Sequence, residues 1–136
     1  MPRISGVNLL GLLLAALAIY LVGFVWYGLM FSEIWMAETG YTEAMYEGQS
    51  SLWMPAGIIM PLILAFGLGW HMKQKNISTL KTAALFGLWL GLLIGAPLMM
   101  YAYIYSPYHS WELLLIDTSH VVVSFVLGSA VLSYFD

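Results

Sequence analysis

The sequence predicts an all-α integral membrane protein: a four-helix bundle with both termini in the cytoplasm and a short interfacial helix turn in its first outer loop. Three observations carry that prediction. Of the 136 residues, 62% are hydrophobic and 8% charged, against about 25% charged in a soluble domain, and mean hydropathy is +0.87. The apolar residues fall into four runs, Val7 to Phe31, Leu52 to Met72, Thr82 to Tyr105 and Trp111 to Phe135. Each holds the roughly 20 residues that a helix needs to cross a hydrocarbon core. Basic and acidic residues are also segregated between the connections. Too little polar surface is present to cover a water-soluble globule, and 1–136 reads as one transmembrane domain.

The same composition excludes several classes. Four basic residues make no nucleic-acid footprint. With no cysteine, disulfides, iron–sulfur clusters and thiolate metal sites are ruled out. No nucleophilic serine motif, phosphate loop or paired carboxylate is present, and Glu112 and Asp117, five apart on one helix, make no convincing acid–base pair. No cofactor and no metal centre is predicted.

The first run comes after Arg3 and contains Ala16-Leu17-Ala18, which could pass for a cleavage signal. A secretory h-region spans about 7–15 residues, and this run continues to Phe31, so it reads as an uncleaved anchor. Ser51 precedes the second run, with Pro55 in its first turn. Ser78 or Thr79 can cap the third, and Ser110 the fourth, where Glu112 suits the helix dipole. Thr42 can cap a short turn over residues 42–47.

Orientation is set by charge. Lys73, Lys75 and Lys81 share one connection and Arg3 lies near the N-terminus, whereas Glu33, Glu38, Glu43 and Glu47 occupy the segment between the first two runs. The positive-inside rule puts the lysine connection and both termini in the cytoplasm. Trp26, Tyr27, Trp35, Tyr41, Tyr46, Trp53, Tyr101, Tyr103, Tyr105, Tyr108 and Trp111 then gather near the outer face. That is an ordinary interfacial belt; a stacking site for a ligand is the alternative.

The third run carries Gly87, Gly91 and Gly95 at a spacing of four. They share a face and invite close approach of another helix, in the same chain or another. In the fourth run Asp117 and His120 are the only acid and histidine well inside an apolar stretch, three apart and so on one face. A rise of about 1.5 Å per residue puts them about 10 and 15 Å deep, level with Pro61 at about 13 Å and Pro97 at about 12 Å. Each proline frees a carbonyl one turn earlier, at Gly57 and Leu93. Tyr20 and Gly23 match this depth.

The polar pair admits three readings. One is a structural cluster, with Asp117 accepting from Tyr20, Tyr27, Tyr101 or Ser119 and His120 satisfying Asp117. The second is an ion, proton or small-ligand site. The third is a metal or haem site with His120 as ligand. The opposite face, Leu115, Val122 and Val126, is expected to meet lipid. His71 and His109 read as helix-end or solvated residues, and Asn76-Ile77-Ser78 lies in a cytoplasmic connection, where the glycosylation pattern has no meaning.

The stretch from Gly23 through Trp26, Tyr27 and Trp35 to Thr39-Gly40, with Asn8 early in the first helix, resembles a small bacterial membrane family catalogued as domain of unknown function 1761. Ile116-Asp117 stands where family members tend to show Ile-Asn, so Asp117 departs from the pattern. The resemblance implies a four-helix fold in a bacterial inner membrane and brings no activity. Beyond lipid, the glycine face points to a non-enzymatic protein that assembles with itself or a membrane partner. The alternatives are a small transporter or channel using Asp117 and His120, and a cofactor carrier ligated by His120.

Overall fold

A computed structural model of the chain describes residues 1–107 and 109–135; Tyr108, one of the belt aromatics, lies outside them. Among these residues four helices are long and apolar enough to cross a membrane: Leu9–Met30, Trp53–Gln74, Leu80–Ile104 and Trp111–Ser133.

The first run opens on a small hairpin, a departure from the expected helix at Val7. Strand β1 (Arg3–Ile4) pairs antiparallel with β2 (Val7–Asn8). The turn between them uses Ser5 at φ 49° and Gly6 at φ 86°, two left-handed residues as a tight hairpin requires. Asn8 then caps helix α1 (Leu9–Gly23): its side-chain oxygen accepts from Leu10 N at 3.0 Å and Gly11 N at 3.2 Å. Those amides have no intrahelical partner. After Gly23 the helix widens into a π segment, Phe24–Met30.

The connection between the first two spans contains helix α2 (Ser32–Thr39), ended by Gly40 at φ 71°, and a 3-10 turn at Glu43–Tyr46. Glycine at that left-handed position terminates a helix without a Cβ clash. Thr42 precedes the turn but its side chain makes no capping bond.

The second span starts with α3 (Trp53–Ala56), passes through Gly57 and Ile58, and continues as α4 (Ile59–Gln74). Pro61 is the third residue of α4, so it starts a helix, where its missing N–H costs nothing, rather than breaking one. Ser51 is not the cap; Leu52 N donates instead to Ser50 Oγ at 3.3 Å. The third span is α5 (Leu80–Leu90), a π turn (Gly91–Gly95) and α6 (Ala96–Ile104). Thr79 caps α5 through Thr82 N at 3.3 Å. Helix α7 (Trp111–Ser133) is capped by Ser110 through Leu113 N at 3.2 Å, with Glu112 in its first turn.

Helix α7 is the hub. It packs against α1, α4, α5 and the third-span π turn, whereas the third span has only slight contact with the first two spans. Ala15, Ala16, Ile19, Ala65, Leu68, Met72 and Leu132 fill the core. Small residues set the helix distances: Gly128 lies against Ile19 and Leu68, and Gly69 against Val7 and Leu132. Gly6 meets the Lys73 side chain and Gly11 meets Phe135, so both chain ends and the end of α4 share one side of the bundle.

The glycine stripe finds its partner within the chain. A Cβ on Gly87 would strike the Phe125 carbonyl, one on Gly91 would lie 3.0 Å from Val122 Cα, and one on Gly95 would lie 2.5 Å from Val121 Cγ1. Val122 and Val126, expected to meet lipid, lie with their backbone against the third span and are half-buried, whereas Leu115, 67% exposed, points outward as expected. Leu13, Leu17, Leu21, Ile63 and Leu93 line the outside, an apolar surface far beyond what a soluble monomer exposes.

Candidate functional site

Near the end of the bundle opposite the lysines, the first span clasps α7. Its π segment carries Trp26 and Tyr27 in succession. Tyr27 donates its hydroxyl to Asp117 Oδ1 at 2.6 Å, and Trp26 donates Nε1–H to Ser119 Oγ at 3.0 Å. Asp117 and Ser119, two residues apart, lie on different flanks of α7 at about 100° per residue. The two aromatics therefore reach round the helix from both sides. His120 lies between those flanks, beside Gly23: a Cβ there would be 3.4 Å from Nε2. The rings of Tyr27 and His120 meet edge to face with centroids 5.0 Å apart. π segments are frequent at functional sites because they turn side chains out of the α-helical register.

Helix α2 packs on α7 and sets Trp35 edge-on to Tyr27 at 5.7 Å. Tyr41 lies 5.4 Å from Trp35, and Tyr46 lies 6.5 Å from Tyr41. A series of aromatic rings thus runs from His120 through the connection. Gly23, Trp26 and Tyr27 meet His120, Ser119 and Asp117, with Trp35 against Tyr27; Asn8 sits at the far end as the cap of α1.

Other residues expected at this level lie elsewhere. Tyr20 donates to Met54 O at 2.8 Å. Tyr101 is 63% exposed and stacks on Tyr105. Pro97 is exposed at the start of α6, and Pro61 is buried in the first turn of α4. Asp117 and His120 form no hydrogen bond or ion pair with each other among the described residues; Tyr27 is the partner of Asp117. His71 bonds Gly67 O at 2.9 Å through Nδ1, and His109 is exposed. Among the described residues no three His, Asp or Glu side chains come together as a metal site would need.

Chemically, this is a carboxyl group with one oxygen held by a phenol and, one turn away, an imidazole with no hydrogen bond among the described residues. Neighbouring hydroxyls are committed: Ser119 donates to Ile116 O at 2.9 Å and Thr118 to Leu114 O at 2.6 Å. Tyr103 of the third span lies within electrostatic reach of Asp117, Glu38 and Glu112. Sequence reasoning missed α2 and both π segments. Ser32-Glu33 and Gly40 are start and stop signals that outline α2; a π segment has no comparable sequence mark.

Neither the curated proteins nor the solved structures yield a match to the chain. Residues 10–133 match the family described as Protein of unknown function (DUF1761). That span covers nearly all of the four apolar helices and the whole clasp of the first span around α7, and the chain belongs to this family.

Proposed function

We propose that this is a multi-pass membrane protein whose fourth span carries a proton-binding carboxyl group, Asp117, and that it works as a small proton-linked transporter or channel. The observation that carries this reading is the Tyr27–Asp117 hydrogen bond inside an apolar span with no lysine or arginine paired to it among the described residues. Lys73 and Lys81 sit near the ends of their spans on the opposite side of the bundle. An unpaired aspartate charge at membrane depth costs roughly 2.5–3.5 kcal/mol on insertion scales, so a proton is the natural neutraliser. A metal ion fits less well. Hard cations want about six oxygen ligands, and the adjacent Ser119 and Thr118 hydroxyls are turned to their own helix.

In this reading Arg3 and the lysine connection face the cytoplasm of a bacterial inner membrane, and Asp117 lies in its outer half. Lipid covers the exposed leucines. A role in assembly with a second copy or another protein drew its support from the glycine stripe, and α7 fills that stripe. The test is infrared difference spectroscopy on protein reconstituted in vesicles. A carboxylic-acid carbonyl band that titrates in the native chain and is missing in Asp117→Asn is expected, together with proton uptake that the variant lacks. No titrating band assignable to Asp117 sinks the reading.

A further inference from the structure

We infer that Ser124 binds a water molecule in the bundle interior and that this water, with His120, forms the inner proton relay of Asp117. This rests on the reading of Asp117 as a proton site and extends it inward.

The observation is an orphaned hydroxyl. Ser124 is 2% exposed and its Oγ has no hydrogen-bond partner among the described residues. Serines and threonines in apolar helices usually satisfy themselves on a carbonyl of the preceding turn. On this helix Thr118, Ser119 and Ser133 do so, at 2.6, 2.9 and 2.7 Å. Ser124 does not. A buried polar group left unpaired costs about 1–3 kcal/mol, and the usual remedy in a protein interior is a bound water with two to four polar partners.

Position ties this hydroxyl to the site. Ser124 comes seven residues after Asp117 and four after His120, so the three share one stripe of α7, with about 10 Å of helix axis between Asp117 and Ser124. Gly128, one turn further on, meets Ile19 and Leu68, so the stripe faces α1 and α4. The His120 ring is available, because it makes no hydrogen bond to protein among the described residues. Gly23 leaves it room. Ser129 is also buried without a partner, but five residues on it lies on a different face and outside this line.

The relay moves protons only. One nitrogen of the imidazole takes the proton that Asp117 releases, the other nitrogen gives one to the Ser124 water, and that water releases one of its own toward the inner side, so no charge stays on His120 or on the water. The titratable groups nearest Asp117 are Tyr27 on the first span and His120 on its own helix, with Tyr103 on the third within electrostatic reach; Glu38 on α2 and Glu112 in the first turn of α7 lie within reach of Tyr103.

The test uses the full chain in vesicles, with infrared difference spectra after a pH jump in ordinary and oxygen-18 water. An isotope-sensitive water band should accompany the Asp117 carboxyl band. Ser124→Ala should remove it and slow Asp117 protonation by roughly tenfold, the worth of one good hydrogen bond; Ser124→Thr should restore both. Thermal melting of each variant checks the fold. A water band and rate unchanged in Ser124→Ala overturn the inference and leave the Asp117 reading standing. A carboxyl band that never titrates overturns that reading and with it the relay, and the water band alone then decides whether Ser124 holds water.

Discussion

Tyr27 and Asp117, ninety residues apart in sequence, are joined by a 2.6 Å hydrogen bond. This bond ties the first span to the fourth at the point where the first leaves α-helical geometry. Its neighbours reinforce it: Trp26 bonds Ser119, Gly23 admits His120, and Trp35 packs on the far side of the Tyr27 ring. The bond therefore joins the packing of the first span on α7 to the carboxyl group proposed as the proton site.

Substitutions at this pair should separate the two roles. Tyr27→Phe removes the donor and should destabilise the protein by about 1–3 kcal/mol, read as a lower melting temperature in detergent. Asp117→Asn keeps an acceptor for the phenol and should leave melting nearly unchanged while abolishing proton uptake. Asp117→Leu should lower stability as Tyr27→Phe does. Equal melting for Asn and Leu at this position would show that the bond contributes nothing to the fold.

The glycine stripe predicts a graded loss of stability without a change of oligomeric state, since its partner is α7. Gly87→Ala should be the most severe, because the new Cβ meets the backbone carbonyl of Phe125, which cannot rotate away. Gly95→Ala meets a methyl group of Val121, which can shift, and should be milder. Overpacking of this kind costs roughly 1–3 kcal/mol. Gly91→Leu should abolish folding altogether. Melting curves rank the variants, and size-exclusion chromatography with light scattering reports the oligomer. A changed oligomer with an intact fold would place the stripe at an interface between chains.

Spans and the glycine stripe were legible in the sequence because length, hydropathy and four-residue spacing are local properties. The partner of Asp117 was not. Tyr20, Tyr27, Tyr101 and Ser119 all lie at suitable depth, but depth is only one coordinate. Which way a side chain points depends on every turn before it. A π segment inserts an extra residue into the helix and rotates every later side chain by about 100°. The segment Phe24–Met30 resets Trp26 and Tyr27 onto α7, whereas Tyr20, before it, reaches Met54. The turn Gly91–Gly95 precedes Pro97 and Tyr101, and both end on the outside. The N-terminal hairpin was missed for another reason: two-residue strands carry no periodicity, and only Ser5-Gly6 hints at the turn.

Asn8 accounts for two backbone donors at the buried start of α1, and it is itself only 5% exposed. Asn8→Ala should cost about 1 kcal/mol of cap stabilisation, and Asn8→Ser or Asn8→Asp should retain most of it. Because Asn8 lies at the far end of the bundle from Asp117, none of these variants should alter proton uptake at matched fold. Melting and uptake measured on the same preparations check both parts.

Orientation in the membrane can be tested by labelling. Gly6 against Lys73 and Gly11 against Phe135 bring both chain ends and the basic connection to one side, and the acidic segment with α2 lies at the other end of the first span. Charge bias should place the basic side in the cytoplasm. The chain has no cysteine, so single reporters need no background removed. Glu43→Cys in intact cells should react with a membrane-impermeant maleimide. Lys75→Cys should react only after permeabilisation. Since α7 runs antiparallel to α1, the same result fixes Asp117 in the outer half of the membrane and Ser124 inward of it, which is the direction that the proposed relay requires. The reverse labelling pattern would turn the molecule over and make Asp117 the cytoplasmic end of that relay.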